Sequence, residues 1–164
     1  MGGEQWAVNG VGVREMSGFK YAESFRDLLV YEKARELQRE VFLISKSFPK
    51  DERFSLCDQI RRSSRSIGAN IAEAWAKRRY EAHFVSKLSD SDGEQYETQH
   101  WIETAVECGY LDPKKGTALI ETCKQIGRLL GGMMEKAALF CGQPSSALRE
   151  SAIEYLVGPA DDEQ

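Results

Sequence analysis

The chain has 164 residues, 41% of them hydrophobic and 29% charged, which fits one globular domain of ordinary size. No apolar run approaches the roughly 20 residues of a membrane span, and the first 24 residues hold five glycines and no apolar signal core, so a cytoplasmic protein without membrane contact is expected. The net charge of -4 lies in the ends: residues 142–164 carry five acids against one arginine, while residues 25–141 hold 19 bases and 18 acids. A near-neutral middle neither demands nor forbids a nucleic-acid partner.

Four helical stripes follow in chain order. The first helix is predicted from an N-cap at Asp27, with Val30, Ala34, Leu37, Val41, Ile44 and Phe48 alternating steps of four and three. That spacing keeps one helix face against partner helices. Pro49 ends it. The second stripe is Cys57, Ile60, Ser64, Ile67, Ile71 and Ala74, with Gly68 predicted at a close helix contact. A break is expected near Arg79 to Ala82.

The third stripe is Phe84, Leu88, Ser91, Gln95, Thr98, Ile102 and Ala105, three of them polar. Gly109 suits the residue just past a helix end, and Asp112-Pro113 suits an N-cap followed by the first helical position. The fourth stripe is Leu119, Cys123, Ile126, Leu130, Met133, Ala137 and Phe140. Gly127, Gly131 and Gly132 lie off it and suggest another close helix contact. The fold expected is all-α: an antiparallel up-down-up-down four-helix bundle over residues 25–141. Residues 1–24 read as a flexible arm. Residues 142–164 read as a tail, with a short helix over 145–157 and a disordered end from Pro159.

Little in the sequence points to catalysis. Cys57, Cys108, Cys123 and Cys141 lack any C-x-x-C spacing and read as buried thiols rather than disulfides. The stretch from Gly127 to Gly132 lies inside a helix with no preceding strand, so it is not a phosphate loop. Glu97-x-x-His100 matches half of a di-iron signature, and no second copy exists. A metal-binding bundle is therefore a remote alternative. No enzyme activity, cofactor or metal is expected.

Two features carry more chemistry. Residues 53–80 hold seven bases and two acids, whereas residues 88–107 hold six acids and no base. Arg61 and Arg65 share a helix face one turn apart; with Arg62, Arg78 and Arg79 they are the candidate phosphate contacts. Alternatively the same arginines pair with the acidic third helix, and the protein is an interaction scaffold. Ser66, Asn70 and Glu73 form a polar group beside the second seam, read as a register-fixing hydrogen-bond network. Trp75, Tyr96 and Trp101 are candidate interface anchors.

These runs also carry a resemblance. Residues 25–37 (Phe-Arg-Asp-Leu-Leu-Val-Tyr-Glu-Lys-Ala-Arg-Glu-Leu), Gln59-Ile-Arg-Arg-Ser-Ser-Arg-Ser-Ile-Gly-Ala-Asn-Ile-Ala-Glu, Phe84-Val-Ser-Lys-Leu-Ser-Asp, Glu97-Thr-Gln and Cys108-Gly-Tyr-Leu occur in order. Together they resemble the bacterial four-helix-bundle family encoded in intervening sequences of 23S ribosomal RNA genes. The resemblance implies a homopentamer with no catalytic centre. It also implies kinship of fold with diversity-generating retroelement accessory proteins, which bind nucleic acid and a reverse transcriptase through a basic surface. The family motif continues Ile-Ala-Glu-Gly, whereas here Ala74 and the large Trp75 follow Glu73. The function expected is a non-catalytic oligomer binding structured RNA or DNA, with self and a protein partner such as a reverse transcriptase as the other associations.

Overall fold

The computed structural model describes residues 15, 16, 19, 20 and 22–141; the expectations for the arm before residue 15 and for the tail beyond Cys141 lie outside the described residues. Two strands of two residues, β1 (Glu15–Met16) and β2 (Phe19–Lys20), pair antiparallel ahead of the helices. Four long helices follow: α1 (Leu29–Ser45), α2 (Leu56–Lys77), α3 (Glu81–Glu107) and α4 (Pro113–Glu135), with one further turn, α5 (Ala137–Phe140). Apart from this two-stranded ribbon, which falls in the segment expected to be a flexible arm, the described residues form an all-α domain, a packed helical bundle.

Asp27 does not cap α1. Ser24 caps a short 3-10 turn at Phe25–Asp27, accepting from the Arg26 N–H, while the Asp27 carboxylate takes the Ser24 N–H at 2.8 Å. This reciprocal capping box satisfies two backbone donors at once, and α1 begins only after it. The turn after Pro49 is a 3-10 segment whose Glu52 carboxylate caps α2 through the Leu56 N–H and accepts from Tyr110 Oη at 3.2 Å. Gly109 has φ 73°, the left-handed conformation that glycine adopts without a Cβ clash. Asp112 accepts from the N–H groups of Lys114 and Lys115, and Pro113 opens α4.

The seams meet in one core. Every stripe position named for α2 and α3 is buried, as are Val30, Ala34, Leu37, Val41, Ile44 and Phe48 at the first. The fourth stripe is interrupted: Lys136 leaves helical geometry at φ -106° and ψ 27°, so Ala137 and Phe140 belong to α5, where Phe140 stacks on Phe84. α2 and α3 share the largest interface, and α1 and α4 the smallest among the four long helices.

Two of the three polar seam positions of α3 are satisfied across that interface, and the third within α3. Ser91 Oγ donates to the Ile67 carbonyl at 2.9 Å, and Thr98 Oγ1 lies 2.9 Å from Ser63 Oγ. Gln95 donates to Asp92 and accepts from Gln99. Buried polar groups cost little when paired, and the two bonds that cross to α2, from Ser91 and Thr98, favour one helix register. The tightest glycine contact was not foreseen: a Cβ on Gly116 would lie 2.5 Å from Val106 Cγ2. Gly68 meets only ordinary contacts with Tyr31 and Ala34. Gly127 abuts Gln95 and Asp92 of α3, while a Cβ on Gly131 would meet nothing within 4 Å.

Candidate nucleic-acid interface

The five arginines singled out on and after α2 do not form one surface. Arg61 and Arg65 lie on the flank facing α1, where their guanidinium carbons stand 5.2 and 6.0 Å from the ring centre of Phe42. Lys46 Nζ lies 4.6 Å from the same ring. The buried Ser45 holds this arrangement together: its hydroxyl accepts Arg61 Nε at 2.7 Å and donates to the Phe42 carbonyl at 3.1 Å. Phe42 remains 38% exposed. Among the described residues, none of Lys46, Arg61 and Arg65 has a carboxylate oxygen within 4 Å.

Three cations gathered around one aromatic ring repel one another, and the ring's electron-rich faces offset part of that repulsion. An anion would offset more. Arg35 and Arg39 continue the Phe42–Lys46 flank of α1 at helical spacing. Glu32, Glu36 and Glu40 occupy a neighbouring stripe, roughly a quarter-turn away on a 3.6-residue helix.

Arg62 points the other way. Its guanidinium bonds to Glu97 Oε1 and lies 3.6 Å from Glu94 Oε1, both on α3. The Glu97 hydrogen bond raises the Arg62 pKa. Burial pushes the Glu97 carboxyl up, but the Trp101 indole N–H at 3.1 Å and the Arg62 guanidinium outweigh it, so it lies below the usual carboxylate value. Glu94 shifts oppositely. Burial raises it more than Arg62 lowers it, and its Oε2 is enclosed with no hydrogen-bond partner.

Asn70 and Glu73 meet through Lys87, a residue that no sequence pattern singled out. Lys87 Nζ lies 2.9 Å from Glu73, 3.2 Å from Asp90 and 3.4 Å from Asn70 Oδ1. The expected polar network is therefore a clasp between α2 and α3. Ser66 is not part of it and donates to the Arg62 carbonyl. Arg78 lies over the half-buried Trp75 ring at 4.2 Å and donates to the Trp75 carbonyl, and Arg79 lies over Tyr80. From Arg61 to Arg78 is 17 residues, about 25 Å along a helix.

His100 is exposed beside Trp101, and Glu97 is engaged by Arg62 and Trp101. Among the described residues no group of three or more His, Cys, Asp or Glu is placed to hold a metal ion. None of their helices is long and apolar enough to cross a membrane. Phe42 and Lys46 were missed as site residues. The available signal was an off-seam aromatic one helical turn before a lysine.

The profile of the 23S rRNA-intervening sequence protein family matches residues 26–132. The chain belongs to this family. The match takes in α1, α2, α3 and all but the end of α4, and so every arginine of the candidate interface. A similar solved structure comes from a protein of unknown function of the S23 ribosomal protein family from Bacteroides thetaiotaomicron. It is 28% identical, with a TM-score of 0.60, over 65% of this chain and 96% of that one. No functionally curated protein matches the sequence. Residues 142–164 fall outside the matched region.

Proposed function

We propose that this chain is a non-catalytic module that binds RNA or DNA phosphates through Lys46, Arg61 and Arg65 around Phe42. The observation that carries this reading is three cations on one exposed ring with no carboxylate within 4 Å. Phosphate contacts supply most non-specific affinity for nucleic acid. Of the original five arginines, Arg61 and Arg65 carry the proposal. Arg62 is held by α3, and Arg78 and Arg79 form a separate group.

The module is proposed to assemble. Cross-helix pairs such as Thr98 with Ser63 and Lys87 with Glu73 support an antiparallel, up-down-up-down arrangement. A homopentamer would repeat the patch around a ring, raising avidity without new contacts. The Arg62–Glu97 pair favours a second reading, a protein scaffold in which α3 carboxylates absorb the basic charge.

Fluorescence-anisotropy titration with a structured RNA and a duplex DNA, at two salt concentrations, separates these. Three phosphate contacts give a slope of log affinity against log salt of about -2 to -3 per subunit. Arg61→Glu/Arg65→Glu should abolish binding while the assembly, seen by size-exclusion chromatography, survives. No binding at low salt would leave only the scaffold.

A further inference from the structure

We infer that the patch takes a single strand in preference to a duplex: one unpaired base stacks on the Phe54 ring while Lys46, Arg61 and Arg65 hold the neighbouring phosphates. The inference rests on the phosphate-binding reading of that patch and names the form of its ligand.

Phe54 is the most exposed large hydrophobic side chain among the described residues, at 86%. The Arg53 guanidinium stands 5.3 Å from its ring centre, and the rest of the ring is open to solvent. Phe42 serves a different purpose, since three cations already surround its ring. Aromatic side chains bind single strands by stacking on unpaired bases, and a neighbouring arginine adds a cation–π contribution. In a duplex the bases are stacked on one another, so the ring finds no free face.

Phe54 also lies close to the patch. It sits in the turn between α1 and α2, the helices that position Lys46, Arg61 and Arg65. Leu56 opens α2 two residues later, and Arg61 follows after five more. At 1.5 Å per helical residue, and at most about 3.6 Å per residue before it, the Cα atoms of Phe54 and Arg61 lie within about 15 Å. The turn itself is neutral, with Lys50 and Arg53 against Asp51 and Glu52. The patch therefore supplies the charge and the turn supplies the ring.

The turn is held in place. Arg53 N–H donates to the Lys50 carbonyl at 3.1 Å, and Ser55 N–H to the Glu52 carbonyl at 3.2 Å. The Glu52 carboxylate accepts from Ser55 Oγ, the Leu56 N–H and Tyr110 Oη. A ring presented on a fixed backbone loses little freedom when a base stacks on it.

The test titrates the full chain by fluorescence anisotropy at low salt in four forms: unchanged, Phe54→Ala, Phe54→Trp and Arg61→Gln/Arg65→Gln. Three labelled probes of one length are used: an oligouridylate, an abasic strand and an RNA duplex. Phe54 buries little, so Phe54→Ala should unfold at the unchanged urea midpoint. It should weaken oligouridylate binding about fivefold or more, the effect of losing one stacked base. Abasic and duplex binding should stay the same, and Phe54→Trp should keep the oligouridylate affinity. Equal weakening on all three probes, or none on the oligouridylate, would overturn the inference; loss of binding in Arg61→Gln/Arg65→Gln would still uphold the phosphate reading. A changed assembly size in Phe54→Ala with oligouridylate affinity intact would assign the ring to a protein contact and overturn it too. No binding of any probe by the unchanged protein would overturn both readings.

Discussion

Thr98 Oγ1 lies 2.9 Å from Ser63 Oγ and 2.8 Å from the Glu94 carbonyl, with both side chains buried between α2 and α3. Its single proton is shared between two acceptors. Ser63 in turn donates to the Ile60 carbonyl at 3.3 Å. Thr98→Val keeps the shape and removes the donor, so it is expected to cost about 1 kcal/mol. Ser63→Ala leaves Thr98 its carbonyl and should cost less. The double variant should be less destabilised than the two single effects added together, because neither hydroxyl is then left short of a partner. Urea unfolding midpoints at constant m-value measure all three.

Two glycines of α4 should respond with opposite sign. Gly116→Ala drives a methyl to 2.5 Å from the β-branched Val106, and overpacking of this kind costs about 1–3 kcal/mol. Gly131→Ala enters open space and should stabilise by up to about 1 kcal/mol, the helix propensity difference. A thermal scan showing both variants shifted the same way would contradict this packing.

The Arg62 cluster sets two opposed pH dependences. Glu97 is lowered from its usual 4.5, so its contribution is complete above that pH and disappears as pH falls through the lower folded value. Glu94 is raised, so its effect runs the other way: relative stability is fullest below 4.5 and declines as pH rises through the folded value. Glu97→Gln should therefore lose stability at neutral pH and show a shallower acid limb. Glu94→Gln should compare better with wild type at neutral pH than at pH 4.

Thiol chemistry offers an independent check on the core. Burial pushes Cys123 up to about 12, while Cys108 is exposed. Since the thiolate is the nucleophile, iodoacetamide at pH 8 should label Cys108 promptly and spare Cys123 until the chain unfolds. Prompt labelling of Cys123 in the native protein would falsify its place on the α4 seam.

Much of the fold was legible because the seam is a local pattern. Phe84 through Ala105 gave the buried side of α3 residue by residue, polar members included. Helix ends were less secure: Asp27 is a good N-cap by type, but Ser24 three residues earlier makes a reciprocal pair, and no single-residue preference reveals that. The break at Lys136 has no glycine or proline to mark it. For the site, spacing separated Arg62 from Arg61 and Arg65. It did not tell which flank would meet α3 and which would meet Phe42, because that depends on neighbouring helices. Gly116 was missed for the same reason, since its tightness comes from Val106 on another helix.

The uneven stitching of the bundle gives it an order of opening. α2 and α3 are joined by Thr98–Ser63, Ser91–Ile67, the Lys87 clasp and the Arg62 pairs, across the largest interface. α1 and α4 meet over the smallest, and among the described residues no hydrogen bond or ion pair joins them. Native-state fluctuations therefore part the α1–α4 seam first, and amide hydrogens of the central α2–α3 hairpin exchange last, close to the free energy of global unfolding.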